Sequence, residues 1–140
     1  MRQCFIAPQK PLLGIMAIKY KNSSRFNRLF KKLCKKYKTL PNDFDKLKKL
    51  SISLFHNPDI HFDNQGIVKI PGFNTSKIVI FKVKKFACRS LKGGAMSGLR
   101  VVYAYHIKKE LVEFIEIYYK GNQSNHNEHL INEYLKQFGH

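Results

Sequence analysis

Between Lys77 and Lys120 the side chains alternate so regularly that this stretch limits the fold more than any other part of the chain. Three runs rich in Val, Ile, Phe and Tyr (Lys77–Arg89, Leu99–Tyr105 and Leu111–Lys120) are separated by short polar breaks, one of them the glycine-rich segment Gly93–Gly98. Such runs predict three neighbouring antiparallel strands. In a strand successive side chains point to opposite faces, so the alternation sorts them. Val79, Phe81, Val83, Leu99, Val101, Tyr103, Ile115, Ile117 and Tyr119 fall on one face, which reads as a core. Lys82, Lys84, Arg100, Glu116, Tyr118 and Lys120 fall on the other, which reads as a basic platform.

Charge limits the partner. Lys and Arg number 26 against 9 Asp and Glu in 140 residues, a net +17. A charge that large on one small domain repels itself and calls for an anionic partner. Nucleic acid comes first, an acidic protein second and a membrane surface third. Cys4, Cys34 and Cys88 are odd in number and lack C-x-x-C spacing, which argues for a reducing cytoplasm and against both a disulfide framework and a zinc site. No apolar run approaches the ~20 residues of a membrane span. Pro11–Ile18 follows Arg2 and Lys10 but lacks a small-residue cleavage site, so it is not read as a signal peptide.

Residues 1–15 show little periodicity, and Met16 offers a second start. They are read as a dispensable extension to a single domain spanning 16–140. Ala17–Tyr20 alternates like a first strand. Asn22-Ser-Ser24 supplies a helix cap, and Phe26, Leu29, Phe30, Leu33 and Tyr37 recur at helical spacing. Pro41-Asn-Asp43 opens a second helix with the stripe Phe44, Leu47, Leu50 and Leu54, so the two form a helical hairpin. Asn57-Pro58 ends it, and a loop with a short strand at Ile67–Ile70 follows. Asn125-x-x-Glu128 has the pattern of a capping box for a last helix carrying Leu130, Ile131, Tyr134, Leu135 and Phe138. The expected fold is therefore α+β, in the order β-α-α-β-β-β-α: an antiparallel sheet of about four strands with helices on one face.

Taken in order, the hairpin ending His56-Asn-Pro58, Phe81-Lys-Val-Lys84, Arg89-Ser-Leu-Lys-Gly93, Gly98-Leu-Arg-Val-Val-Tyr103 and Ile115-Glu-Ile-Tyr-Tyr-Lys120 resemble the RelE/ParE superfamily of toxins from type II toxin–antitoxin pairs. The resemblance covers residues 16–138. It implies a cytoplasmic toxin with an acidic antitoxin as partner. One branch cuts mRNA in the ribosomal A site without a metal or other cofactor, and the ParE branch inhibits DNA gyrase. The leading expectation is the first activity, an mRNA interferase that blocks translation. The alternatives are a ParE-like or catalytically inactive antitoxin-binding member, or a basic RNA-binding protein without a toxin role.

Metal-free RNA cleavage needs a base at the 2′-hydroxyl, an acid at the leaving oxygen and cations for charge growing on the phosphoryl oxygens. Arg100 suits the last role, since its planar fork meets two phosphate oxygens and keeps its proton. By the resemblance, Arg100 matches the arginine at the family's sheet centre, and Lys82 and Lys84 match its paired lysines. A lysine among like charges loses its proton more easily, so either is a candidate base, and Glu116 is another. Lys120 is the candidate cation at the end of the last strand. Tyr118, Tyr119 or His126 would supply the acid or a stacking group. Lys82, Lys84, Lys85, Arg89 and Lys92 form the expected RNA-binding surface. His126 and His129 lack a third ligand, so no metal site is expected. The Lys92-Gly93-Gly94 loop lacks the spacing of a nucleotide-binding loop.

Overall fold

The computed structural model describes residues 18–57, 66–94 and 96–138. The segment read as an extension, residues 1–15, lies outside them. The elements run β1 (Lys19–Asn22), α1 (Ser24–Lys36), α2 (Leu40–Lys46), a π-helical segment (Leu47–Ile52), α3 (Ser53–Phe55), β2 (Ile67–Lys69), β3 (Ile78–Val83), β4 (Leu99–His106), β5 (Leu111–Tyr119) and α4 (Glu128–Lys136). The fold is α+β, with one five-stranded sheet in the order β1-β5-β4-β3-β2. β2 through β5 pair antiparallel, as the alternation predicts. β1 lies parallel to β5 at the edge opposite β2, a pairing that a long connection through the helices and the other strands makes possible. With β2 counted, the strands number five among the described residues, not four.

Local chemistry sets the helix ends. Ser23 caps α1 by accepting the Phe26 N–H at 3.1 Å. α1 then lays Phe26 against Phe44 and Phe114, with ring centroids 5.4 and 5.3 Å away. Those rings, with Leu40, Leu47, Ile52, Phe81, Val83, Leu99, Val101, Tyr103 and Ile117, form the inner core. The sequence stripe Phe44, Leu47, Leu50, Leu54 is corrected here. Ile52 is fully buried, while Leu50 is 60% exposed. The i→i+5 bonding of the π-helical segment shifts the phase of the buried stripe by one residue.

A second core lies on the opposite face of the sheet, so the expectation of helices on one face is also corrected. α4 packs Ile131, Tyr134 and Leu135 against Ile78, Ile80, Val102, Ala104 and Ile115. Ile115, assigned to the inner face by strict alternation, belongs here. The register of β4 with β5 slips between Val102 and Tyr103: Val102 pairs with Glu116, but Tyr103 pairs with Phe114. Ile115 is the extra residue of that bulge, and the bulge turns Ile115 and Glu116 to the same face. Only one end of the outer face is thus left as a polar platform. Among the described residues no helix is long and apolar enough to cross a membrane.

Candidate functional site

The platform is built by register. Lys82 pairs with Val102, which pairs with Glu116, and Arg100 pairs with Tyr118. The pleat therefore sets Lys82, Arg100, Glu116 and Tyr118 on the outer face, where Tyr118 is buried as part of the cluster that packs against α4 and only its neighbours Lys82 and Arg100 are half-buried. Gly98 closes the platform. Its φ of +95° is costly for any side chain, and a Cβ there would stand 2.9 Å from the Tyr119 ring. Its carbonyl accepts the Lys120 N–H at 2.7 Å, which places Lys120 at the rim.

From Lys120 to Asn127 the chain crosses the platform as a strap, and Glu116 anchors it. Glu116 is 2% exposed. One carboxylate oxygen accepts the Gln123 side-chain amide at 2.7 Å, and the other accepts the Asn127 N–H at 2.9 Å. Asn127 itself caps α4 through the His129 N–H, so the expected capping box from Asn125 is corrected. Asn125 does other work: its side-chain oxygen accepts the His126 N–H and the Lys82 ammonium, both at 2.9 Å. The same ammonium lies 3.0 Å from His126 Nδ1. A donating ammonium makes Nδ1 the acceptor, which assigns the imidazole proton to Nε2. Nε2 is buried without a hydrogen bond, 3.8 Å from the Glu128 carboxylate.

These contacts move the titrations. Burial lowers the Lys82 pKa, Lys84 and Arg100 lower it further, and Glu116 opposes them. Burial and Lys82 lower that of His126, which is neutral at pH 7. Burial and Glu116 push the Tyr118 phenol up to about 12, against the pull of Arg100, so it keeps its proton. Arg100 Nη1 donates to the Lys84 carbonyl at 2.8 Å and, more weakly, to Leu99. Its remaining N–H groups have no protein partner among the described residues. One end of the sheet thus holds a fixed guanidinium, a protonated phenol, a neutral imidazole and a lysine that gives up its proton more readily than usual.

The fold brings together Lys82, Arg100, Glu116, Tyr118 and His126, with Lys84 and Lys120 exposed at the edges. Glu116 is occupied as the strap's anchor, so it is poorly placed to take a proton. Tyr119 turns inward, 6.1 Å from Tyr37. Lys85 and Arg89 lie apart from the cluster. They border a groove of about 380 Å³ against Leu47, Leu50 and Ser51 of the π-helical segment. Lys92 is exposed on the loop before Gly93. His129 is exposed and pairs with Glu133 at 3.4 Å, and no group of three metal-ligating side chains occurs among the described residues. Gln123 escaped sequence reasoning and Asn125 was read only as a helix cap, because an amide in a loop does not show its partners until they are placed.

No protein-family model matches the chain, and no curated protein matches it. Among solved structures, the chain is similar to an archaeal RelE–RelB complex from Pyrococcus horikoshii OT3. Identity is 17% over 76% of this chain and 98% of that one, with a TM-score of 0.44.

Proposed function

We propose that the platform cleaves RNA by metal-free attack of a 2′-hydroxyl on its own phosphate. The observation that carries this reading is the fixed Arg100 guanidinium paired across the sheet with a phenol that stays protonated, beside the Lys82–His126 contact. Lys82 in its neutral form takes the 2′-hydroxyl proton. The new P–O bond forms as the bond to the 5′-oxygen breaks, and Tyr118 donates its proton to that oxygen. The products are a 2′,3′-cyclic phosphate and a free 5′-hydroxyl, and solvent returns both side chains to their starting states. Arg100, with Lys84 and Lys120 at the rim, offsets the charge that grows on the phosphoryl oxygens. His126 and Asn125 position the Lys82 nitrogen.

The ordered motifs that resemble RelE/ParE toxins extend the proposal. The substrate is mRNA on the ribosome, the compartment is the cytoplasm, and the controlling partner is an acidic antitoxin. Mapping 5′-hydroxyl ends on mRNA from translating ribosomes tests it. Arg100→Ala is expected to reduce cutting by about 10²-fold or more, the scale of losing one strong charge-stabilising group. Arg100→Lys recovers part of it, since an ammonium keeps the charge and loses the fork. Equal cutting by wild type and Arg100→Ala removes Arg100 from the mechanism. No cutting by the wild type moves the protein to the gyrase-directed or purely binding class.

A further inference from the structure

The far end of the same outer face, beyond α4, carries a second constellation. A pocket of about 400 Å³ is bordered by His106, Phe138, Lys77, Lys108 and Lys109. Its floor is built. His106 has a side chain only 8% exposed, and its Nε2 lies 2.6 Å from the Tyr134 hydroxyl. That hydroxyl donates to the buried Glu113 carboxylate at 2.7 Å. Since the Tyr134 proton goes to Glu113, the Tyr134 oxygen accepts from His106 Nε2–H, and His106 Nδ1 is left as an acceptor. Among the described residues Nδ1 has no protein partner, and it is not sealed from solvent. Phe138 forms the wall, its ring 5.1 Å from His106 and 5.2 Å from Tyr134, and it is 41% exposed. None of the three lysines pairs with a carboxylate among the described residues.

We propose that this pocket binds a nucleotide, with the base stacked on Phe138, a base N–H donated to His106 Nδ1, and the phosphate held by Lys77, Lys108 and Lys109. Each part answers a different piece of that ligand. An exposed aromatic ring beside clustered cations is the usual pairing for an unpaired base and its backbone. An acceptor nitrogen at the floor favours a base carrying an amino or imino proton, and it offers nothing to the carboxylates of an acidic peptide. Burial, with Lys109 and Lys21, lowers the His106 pKa against the pull of Glu113, which keeps the acceptor open at neutral pH. The nucleotide is either free or one unit of a single strand, and the chemistry is the same. The pocket shares no residue with the proposed cleavage cluster, so the two readings stand or fall separately.

The test uses the full chain with three probes: adenosine monophosphate, a short oligoadenylate and inorganic phosphate. Binding is followed by titration and by NMR shifts of the His106 imidazole. Phe138→Ala is expected to weaken oligoadenylate about 10-fold, the worth of one stacked base, and Phe138→Tyr to restore it. Lys108→Gln with Lys109→Gln is expected to flatten the salt dependence by about 0.7 in log–log slope for each phosphate that no longer meets a lysine. All three positions are exposed, so the fold should survive, and a melting curve checks that it does. Tight binding of adenosine monophosphate alone identifies the free nucleotide as the source, whereas binding only of the oligomer identifies a strand. Affinity unchanged in every variant, or inorganic phosphate binding as well as the nucleotide, overturns the proposal, as does displacement by a polyglutamate peptide that Phe138→Ala does not affect. The His106 imidazole shifts caused by adenosine monophosphate report this pocket alone, so they should persist when cleavage is absent, and failure of the cleavage reading would leave this one standing.

Discussion

Glu116 shows how burial reassigns a residue. In sequence it is the lone carboxylate among platform cations, which makes it a natural base; in the fold both its oxygens are occupied by Gln123 and Asn127. Glu116→Gln keeps the volume but sets an N–H against one of those donors. It should cost about 1–3 kcal/mol, the penalty of a buried unsatisfied group, and release the strap, seen as a shift in the His126 imidazole resonances. Unchanged stability would mean the strap is held elsewhere. His56 makes a second residue-scale prediction. Its imidazole lies 2.7 Å from the Tyr103 hydroxyl and stacks on Tyr105 at 4.0 Å, and burial lowers its pKa to about 4. The unfolded chain, with an ordinary histidine, binds this proton first. Folding stability should therefore be whole above pH ~6.5 and fall as pH drops towards about 4, by up to roughly 3 kcal/mol. His106 and His126, also lowered, add in the same direction. Melting temperature measured against pH, with His56→Gln flattening the slope, checks it.

At the scale of elements, two one-residue shifts decide the packing. The π-helical segment buries Ile52 and exposes Leu50. Ile52→Ala should then lower stability by about 2–5 kcal/mol, as large-to-small core changes do, while Leu50→Ala should stay within about 0.5 kcal/mol. The reverse order in urea unfolding would put the helical phase back where the plain stripe had it. The bulge at Ile115 is the second shift. It lets Phe114 and Ile117 face the inner core together while Ile115 joins α4 and Glu116 meets the strap. A trace of it is visible in the sequence, where the inward apolar positions pass from even numbers, Val112 and Phe114, to odd ones, Ile117 and Tyr119.

For the whole molecule, the net charge of +17 is hardly compensated. Lys48–Asp45 is the one Lys–carboxylate pair within 4 Å among the described residues. Added salt screens that self-repulsion, so it should raise the urea midpoint of the free protein. The same salt should weaken RNA binding, because each phosphate contact releases counterions. Opposite signs for the two measurements are expected; a midpoint that falls with salt would show that repulsion does not govern the folded state. Induction of the full chain in bacteria should arrest growth with a fall in protein synthesis. Normal growth with soluble protein present would count against a toxin.

By itself the sequence determined the α+β class, the three central strands, the α1–α2 hairpin, the C-terminal helix and the placing of Lys82, Arg100 and Tyr118 on one face. Each follows from a period of two or of 3.6 residues, or from cap chemistry within a few residues, and those are properties of neighbours in the chain. Tertiary structure alone decided that α4 covers one end of the outer face, that Glu116 is an anchor and that His126 lies against Lys82. It also decided that His106, Tyr134 and Glu113 meet beneath Phe138. The hydrogen bonds that make these contacts join residues 7 to 44 positions apart. Their energies depend on burial and on distance in space, and neither is set until the chain has closed on itself.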